Sequence, residues 1–230
     1  MVAIDADAPR FTAVSSLNLD LDEPDVESVY SALVRRSEDR ARSVPGFVSA
    51  SILRRRPQDS ETAVPQRLLE YSQWDSRDAH RRHAEALDSP VLRGVTLSQT
   101  DTYELDTVIS PLRRLEIIAS DPRLTMVVSM RARSGEQTFV NEYNQEETRN
   151  YFSKFAGFVG VAFHCGPGDL VLEYLQWESM SALEAASSTE RFRTHMARNA
   201  RHCLAVDFGV YDVLRTIPAS TIRAESENGD

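Results

Sequence analysis

Leu69-Glu70-Tyr71-Ser72-Gln73-Trp74-Asp75-Ser76 returns 103 residues later as Leu172-Glu173-Tyr174-Leu175-Gln176-Trp177-Glu178-Ser179. Leu, Glu, Tyr, Gln, Trp and Ser recur in register and Asp75/Glu178 keeps its charge, so the chain is built twice. The flanks agree. Upstream, Val44-Pro45-Gly46-Phe47-Val48 has a counterpart in Phe155-Ala156-Gly157-Phe158-Val159; downstream, the stretch from Tyr103 to Ile109 has one from Tyr211 to Ile217. The offset drifts from 111 to 103 to 108, as insertions in loops require. A period of roughly 100 residues is too long for a solenoid and suits two small domains.

Working outward from the repeated stretch, each unit reads β-α-β-β-α-β. In the first, Phe11 to Leu19 is a strand, and Pro24 opens a helix whose apolar face is Val26, Val29, Tyr30, Leu33 and Val34, running to about Arg42. Phe47 to Leu53 and Leu68 to Trp74 are the middle strands, Ser76 caps a helix to about Leu87, and Thr102 to Ile109 is the last strand. Arg54 to Glu61 reads as a solvated connection. In the second unit the strands are Leu124 to Ala132, Phe158 to His164, Leu170 to Trp177 and Phe208 to Ile217. Its helices run from about Asn144 to Phe155, from Ser179 to Ala186, and onward to about Cys203. The division expected is 10–110 and 123–218 for the two repeats, 111–122 for a connecting segment, and flexible ends at 1–9 and 219–230. Pro111 to Ile118 is too apolar for a free linker and is expected to pack as a strand or short helix.

The fold class that follows is α+β. Helices cover one face of each ferredoxin-like sheet and leave the other face in need of a cover. A second copy on the same chain supplies it, giving two repeats packed sheet to sheet as an intramolecular dimeric α+β barrel.

Composition narrows the function. A formal charge of -9, from 35 acidic and 26 basic residues, argues against nucleic acid and against anionic membrane as partners. No apolar run is long enough to span a bilayer and no secretory leader is recognisable, so the sequence reads as cytoplasmic. Cys165 and Cys203 sit at non-equivalent places in the two repeats and read as free thiols. No CxxC, HExxH or Gly-rich phosphate loop is present, so the expectation is no cofactor and no metal.

The Pro45-Gly46-Phe47 turn, the strand ending Tyr71-Ser72-Gln73-Trp74-Asp75-Ser76 and the helix after it resemble the antibiotic biosynthesis monooxygenase superfamily. The resemblance covers both repeats, about 200 of the 230 residues. Proteins of this kind are usually single domains that dimerise, so it implies a pseudo-dimer within one chain, with further oligomerisation open. It also implies a cofactor-independent monooxygenase acting on a small aromatic substrate, a phenolic or anthrone-type polyketide intermediate of secondary metabolism, with molecular oxygen as co-substrate. The same fold also serves polyketide cyclases, non-catalytic binding barrels and haem-degrading oxygenases, which stay open as alternatives.

In the quinone-forming members the strand tryptophan and an asparagine four residues before it are implicated in catalysis. Trp74 and Trp177 match the first, while Glu70 and Glu173 replace the second. An amide can donate a hydrogen bond, whereas an ionised carboxylate only accepts, so the proton inventory differs. Glu70, Ser72 and Trp74 share one strand face. His80 and His83 share one side of the following helix, where the second repeat has Leu183 and Ala186. Glu70, Trp74, His80 and His83 are therefore the catalytic candidates, and the first repeat is expected to carry more of the chemistry. Asn18, Tyr30, Ser72, His164, Glu173 and Trp177 complete the set as substrate-contacting candidates. Asn18, Trp74 and His83 also loosely match the haem-degrading set. His195 and His202, in an arginine-rich helix, read as surface residues.

Overall fold

The computed structural model describes residues 1–8, 10–19, 23–57, 66–86 and 95–219. Its elements in chain order are β1 (Val2–Asp5), β2 (Phe11–Leu19), α1 (Glu23–Ser43), β3 (Phe47–Arg55), β4 (Gln66–Trp74), α2 (Arg77–Ala86), β5 (Val95–Ile109) and β6 (Arg114–Ile117). There follow β7 (Leu124–Ala132), α3 (Gln137–Asn150), a 3₁₀ turn (Phe152–Lys154), β8 (Phe158–Gly166), β9 (Leu170–Trp177), α4 (Met180–Ser187), α5 (Glu190–His202) and β10 (Cys203–Pro218).

The expected α+β architecture is present. Spatial order within the first repeat is β5-β2-β4-β3 and within the second β10-β7-β9-β8, the same ferredoxin-like order twice. The two sheets do more than face each other. Edge strand β5 pairs antiparallel with β8, placing Val108 opposite Ala162, and β10 pairs with β3, placing Val213 opposite Leu53. Eight strands thus close into one barrel, which leaves neither four-stranded sheet with an open edge.

Alternation along each strand sorts the side chains. Leu69 and Tyr71 of β4 and Leu172 and Tyr174 of β9 point inward, where they join Leu53, Tyr103, Ala162 and Tyr211 in the barrel core. Trp74 and Trp177 face outward, toward the helices. The repeated turn is the same in both halves: Gly46 and Gly157 sit at φ 85° and 84°, and their carbonyls accept from the amides of Asp75 and Glu178 at 2.8 and 2.7 Å. A Cβ at either would stand 2.5 or 2.6 Å from the Cβ of Ala79 or Ala182, so only glycine allows the following helix to approach.

Several boundaries differ from the sequence reading. The N-terminal residues are not a loose arm: β1 pairs antiparallel with β6, and Val2, Ile4, Leu115 and Ile117 of this ribbon are buried against the barrel core. The apolar segment before residue 118 therefore packs as a strand, as expected, and its partner is the N-terminus. Helix α3 begins at Gln137, ahead of the expected Asn144, and stops at Asn150, with the 3₁₀ turn after it. Strand β10 starts at Cys203 and leaves no gap after α5. Leu87, the tip of the 54–61 connection and the tail from residue 220 lie outside the described residues.

Closure by inter-repeat pairing has a consequence for the isolated half. Residues 10–110 alone would present β3 and β5 as open edges and expose the apolar face carrying Leu53, Leu69 and Tyr71. Such a fragment is expected to aggregate or to self-pair in size-exclusion chromatography; a stable monomer would show that the halves do not depend on each other.

Candidate active site

The two repeated strands carry the same glutamate and tryptophan into different surroundings. In the first half, Glu70 is 3% exposed, and its Oε1 is engaged twice. Arg40 of α1 donates to its Oε1 in a buried ion pair, and Ser37 Oγ donates to the same oxygen at 2.7 Å. Trp74 Nε1 donates to Ser72 Oγ at 3.1 Å, and Ser72 in turn donates to the Ala13 carbonyl at 3.2 Å. The rings of Phe47, His80 and His83 each lie 5.3 Å from that of Trp74. Of the four catalytic candidates, Trp74, His80 and His83 pack ring to ring, while Glu70, four residues before Trp74 on the strand, is engaged by α1. Burial, reinforced by the charges of Arg40 and Arg36, pushes His83 down to about 4, so it is a neutral ring at physiological pH; His80 is lowered for the same leading reason.

Asn18, Tyr30 and His164 lie elsewhere. Asn18 pairs in register with Arg67, whose Nε donates to its Oδ1 at 3.4 Å, whereas Trp74 pairs with Phe11 at the opposite end of β2. Asn18, Trp74 and His83 therefore do not converge, and the haem-degrading arrangement is not reproduced. Tyr30 lines a separate cavity of about 360 Å³ beside Arg54 and Asp212. His164 is wholly buried in the barrel core, where its Nε2 meets Tyr71 Oη at 3.0 Å; burial pushes it to about 4.

Where the rings of His80 and His83 pack on Trp74 in the first half, the second half has a cavity over Trp177. A cavity of about 630 Å³ lies between the outer face of β7, β9 and β10 and the helices α3, α4 and α5, with Glu173 and Trp177 on its floor. Residue exchanges account for it. At the same spacing before the turn glycine, Thr148 replaces Ser37 and Tyr151 replaces Arg40, so no guanidinium reaches Glu173. Leu175 replaces Ser72, so Trp177 Nε1 loses its acceptor. Leu183 and Ala186 replace the two imidazoles. Met126, Met130, Met180 and Met196 line the cavity, four of the five methionines in the chain, a soft wall able to fit flat ligands of varied outline.

Glu173 is 8% exposed, and its Oε1 has no hydrogen-bond partner among the described residues. Burial in this apolar setting disfavours the carboxylate and pushes its pKa up to about 8. A group poised there can both accept and return a proton near neutrality. Trp177 Nε1 is likewise buried without a partner. Strand geometry separates the two Cα atoms by about 13 Å, the span of a flat polycyclic molecule.

Sequence reasoning missed the third polar group. His195 is no surface residue: it is 8% exposed, lies on α5 between the rings of Tyr143 and Phe152, and lines the cavity with Asn144 and Asn199. Burial pushes it to about 4, and its Nδ1 lacks a partner. The signal was present in Phe192, His195, Met196 and Asn199, spaced as one helix face that turns inward. His202, by contrast, bonds Glu136 at 2.9 Å near the surface. Among the described residues no three His, Cys, Asp or Glu side chains converge as a metal-ligand set. None of the described helices is long and apolar enough to cross a membrane.

Solved structures share this architecture along nearly the whole chain. An anthrone oxidase-like protein superposes with a TM-score of 0.78 at 17% identity, covering 98% of this chain and all of its own. The fold is that of the monooxygenase-like ferredoxin-fold proteins. A monooxygenase candidate from Fusobacterium nucleatum subsp. nucleatum matches with a TM-score of 0.62 at 10% identity over 92% of this chain and 94% of its own. Another from Lactobacillus acidophilus gives 0.55 at 10% identity over 92% and 97%. No protein-family model and no curated protein matches the sequence. The first two of these structures match this chain across both halves and over nearly their own full length.

Proposed function

We propose that the chain is an oxygenase that converts an anthrone-type phenolic ketone to the corresponding quinone, with the reaction in the second-half cavity. The observation that carries this reading is Glu173: a buried carboxyl without a cation or hydrogen-bond partner among the described residues, lining a largely apolar cavity of substrate size. Likeness to an anthrone oxidase-like protein supports the choice of substrate class.

In its ionised form Glu173 takes a proton from the ring methylene, which the ring carbonyl acidifies. The electron pair left on carbon is delocalised onto the carbonyl oxygen and then reduces dioxygen, forming a C–O bond. Proton return from Glu173 gives a hydroperoxide. Loss of the second methylene proton, with cleavage of the O–O bond, leaves a carbonyl and releases water. Substrate plus dioxygen gives quinone plus water, and all electrons come from the substrate. The protein supplies proton transfer, a dry cavity and the indole N–H of Trp177 as a neutral donor to developing negative charge.

The test is an oxygen-electrode trace with an anthrone-type phenol, with and without chelator. Stoichiometric oxygen uptake with quinone formation, unchanged by chelator, is the expected result. Product formed without oxygen uptake, or binding without turnover, would overturn the proposal.

A further inference from the structure

His195, which lines the cavity, is held by a chain of fixed partners. Asn144 Nδ2 donates to the Val140 carbonyl at 2.7 Å, and a carbonyl can only accept. That contact fixes the Asn144 amide, so its Oδ1 faces Asn199 and accepts from Asn199 Nδ2 at 2.8 Å, while Asn144 Nδ2 also reaches Asn199 Oδ1 at 3.1 Å. The reciprocal pair fixes the Asn199 amide in turn. Its remaining N–H points at His195 Nε2, 3.1 Å away, which must accept. A neutral imidazole whose Nε2 accepts carries its proton on Nδ1, and Nδ1 is the buried atom without a hydrogen-bond partner among the described residues. Both asparagines are nearly inaccessible, and stacking on Tyr143 at 24° leaves the ring little freedom to turn.

We propose that Asn144 and Asn199 are positioning residues that hold His195 with its proton on Nδ1, so that the imidazole offers a hydrogen-bond donor, and not a base, to an oxygen of the cavity ligand. This rests on the reading of the cavity as the active site and sharpens it. The ligand should carry an acceptor oxygen, a ring ketone or its enolate, and Glu173 is left as the proton acceptor. The sequence of the first half is consistent, since Leu33 stands where the second half has Asn144. The charged groups around His195 are Glu147 and Arg191, which are paired with each other, and, along the cavity, Glu173, Glu184 and Arg56, the last paired with Asp212.

The experiment is long-range ¹H–¹⁵N NMR of the full chain labelled at histidine, at pH 7, with His195 identified by loss of its signals in His195→Gln. The expected result is a protonated Nδ1 and an unprotonated Nε2. Asn199→Asp, of the same shape but able only to accept, should move the proton to Nε2 or hold the ring as a cation to higher pH. Where the proton moves to Nε2, the Nδ1 donor is lost and binding of an inert quinone should weaken by about tenfold, the loss of one hydrogen bond, whereas a cationic ring keeps that donor. A protonated Nε2 in the unsubstituted protein, or unchanged shifts in a folded Asn199→Asp protein, would overturn the proposal. The NMR readout needs no turnover, so it stands or falls separately from the oxygenase reading.

Discussion

Glu173→Gln is expected to lower the rate of oxygen uptake by about 10²–10⁴-fold, the usual contribution of a positioned proton-transfer group, and at the same time to raise the melting temperature above pH 8. The two effects share one cause. The Glu173 carboxyl lies at about 8 in the folded protein, against an ordinary value of 4.5, because burial penalises its charge. The folded state therefore holds a proton that the unfolded chain releases between those values. The associated stability is complete below about 4.5 and is lost as pH rises through about 8. Glutamine carries no charge to bury, so the melting difference between variant and parent should widen from pH 5 to pH 9. Calorimetry across that range checks it. A variant less stable than the parent at pH 9 would mean that the carboxylate is paired after all.

The opposite behaviour is expected of the equivalent pair in the first half. Arg40 and Glu70 are 7% and 4% exposed at their side chains, and Arg40→Leu would leave Glu70 as an unbalanced buried charge. The loss should be about 3–5 kcal/mol by urea unfolding, most of it recovered by adding Glu70→Gln, with oxygen uptake per folded molecule unchanged. Substantial loss of activity in the folded double variant would place chemistry in the first half.

The duplication and the strand order were legible because the glutamate-tryptophan strand repeats nearly verbatim and the turn glycines repeat with it. The barrel core was legible for the same reason, since period-two alternation fixes which face Tyr71 and Tyr174 take. The location of the cavity was not. Reading His80 and His83 as bases favoured the first half, yet their rings pack on Trp74, while in the second half Ala186 stands in place of an imidazole and Leu183 lines the cavity over Trp177. The pairing of Glu70 with Arg40 joins residues 30 apart on different elements, a contact that strand periodicity does not reveal. His195 was hidden among arginines, although its spacing with Phe192 and Asn199 marks an inward face. The N-terminal strand was missed because its partner, β6, lies beyond the whole first repeat.

The most direct test of the second-half site is the pH dependence of kcat/KM for oxygen uptake, on a substrate that does not itself titrate between pH 6 and 9. With Glu173 as the proton acceptor, the rate should rise along a single limb with its midpoint near 8. A flat profile across that range, or a midpoint in the ordinary carboxylate region, would contradict it.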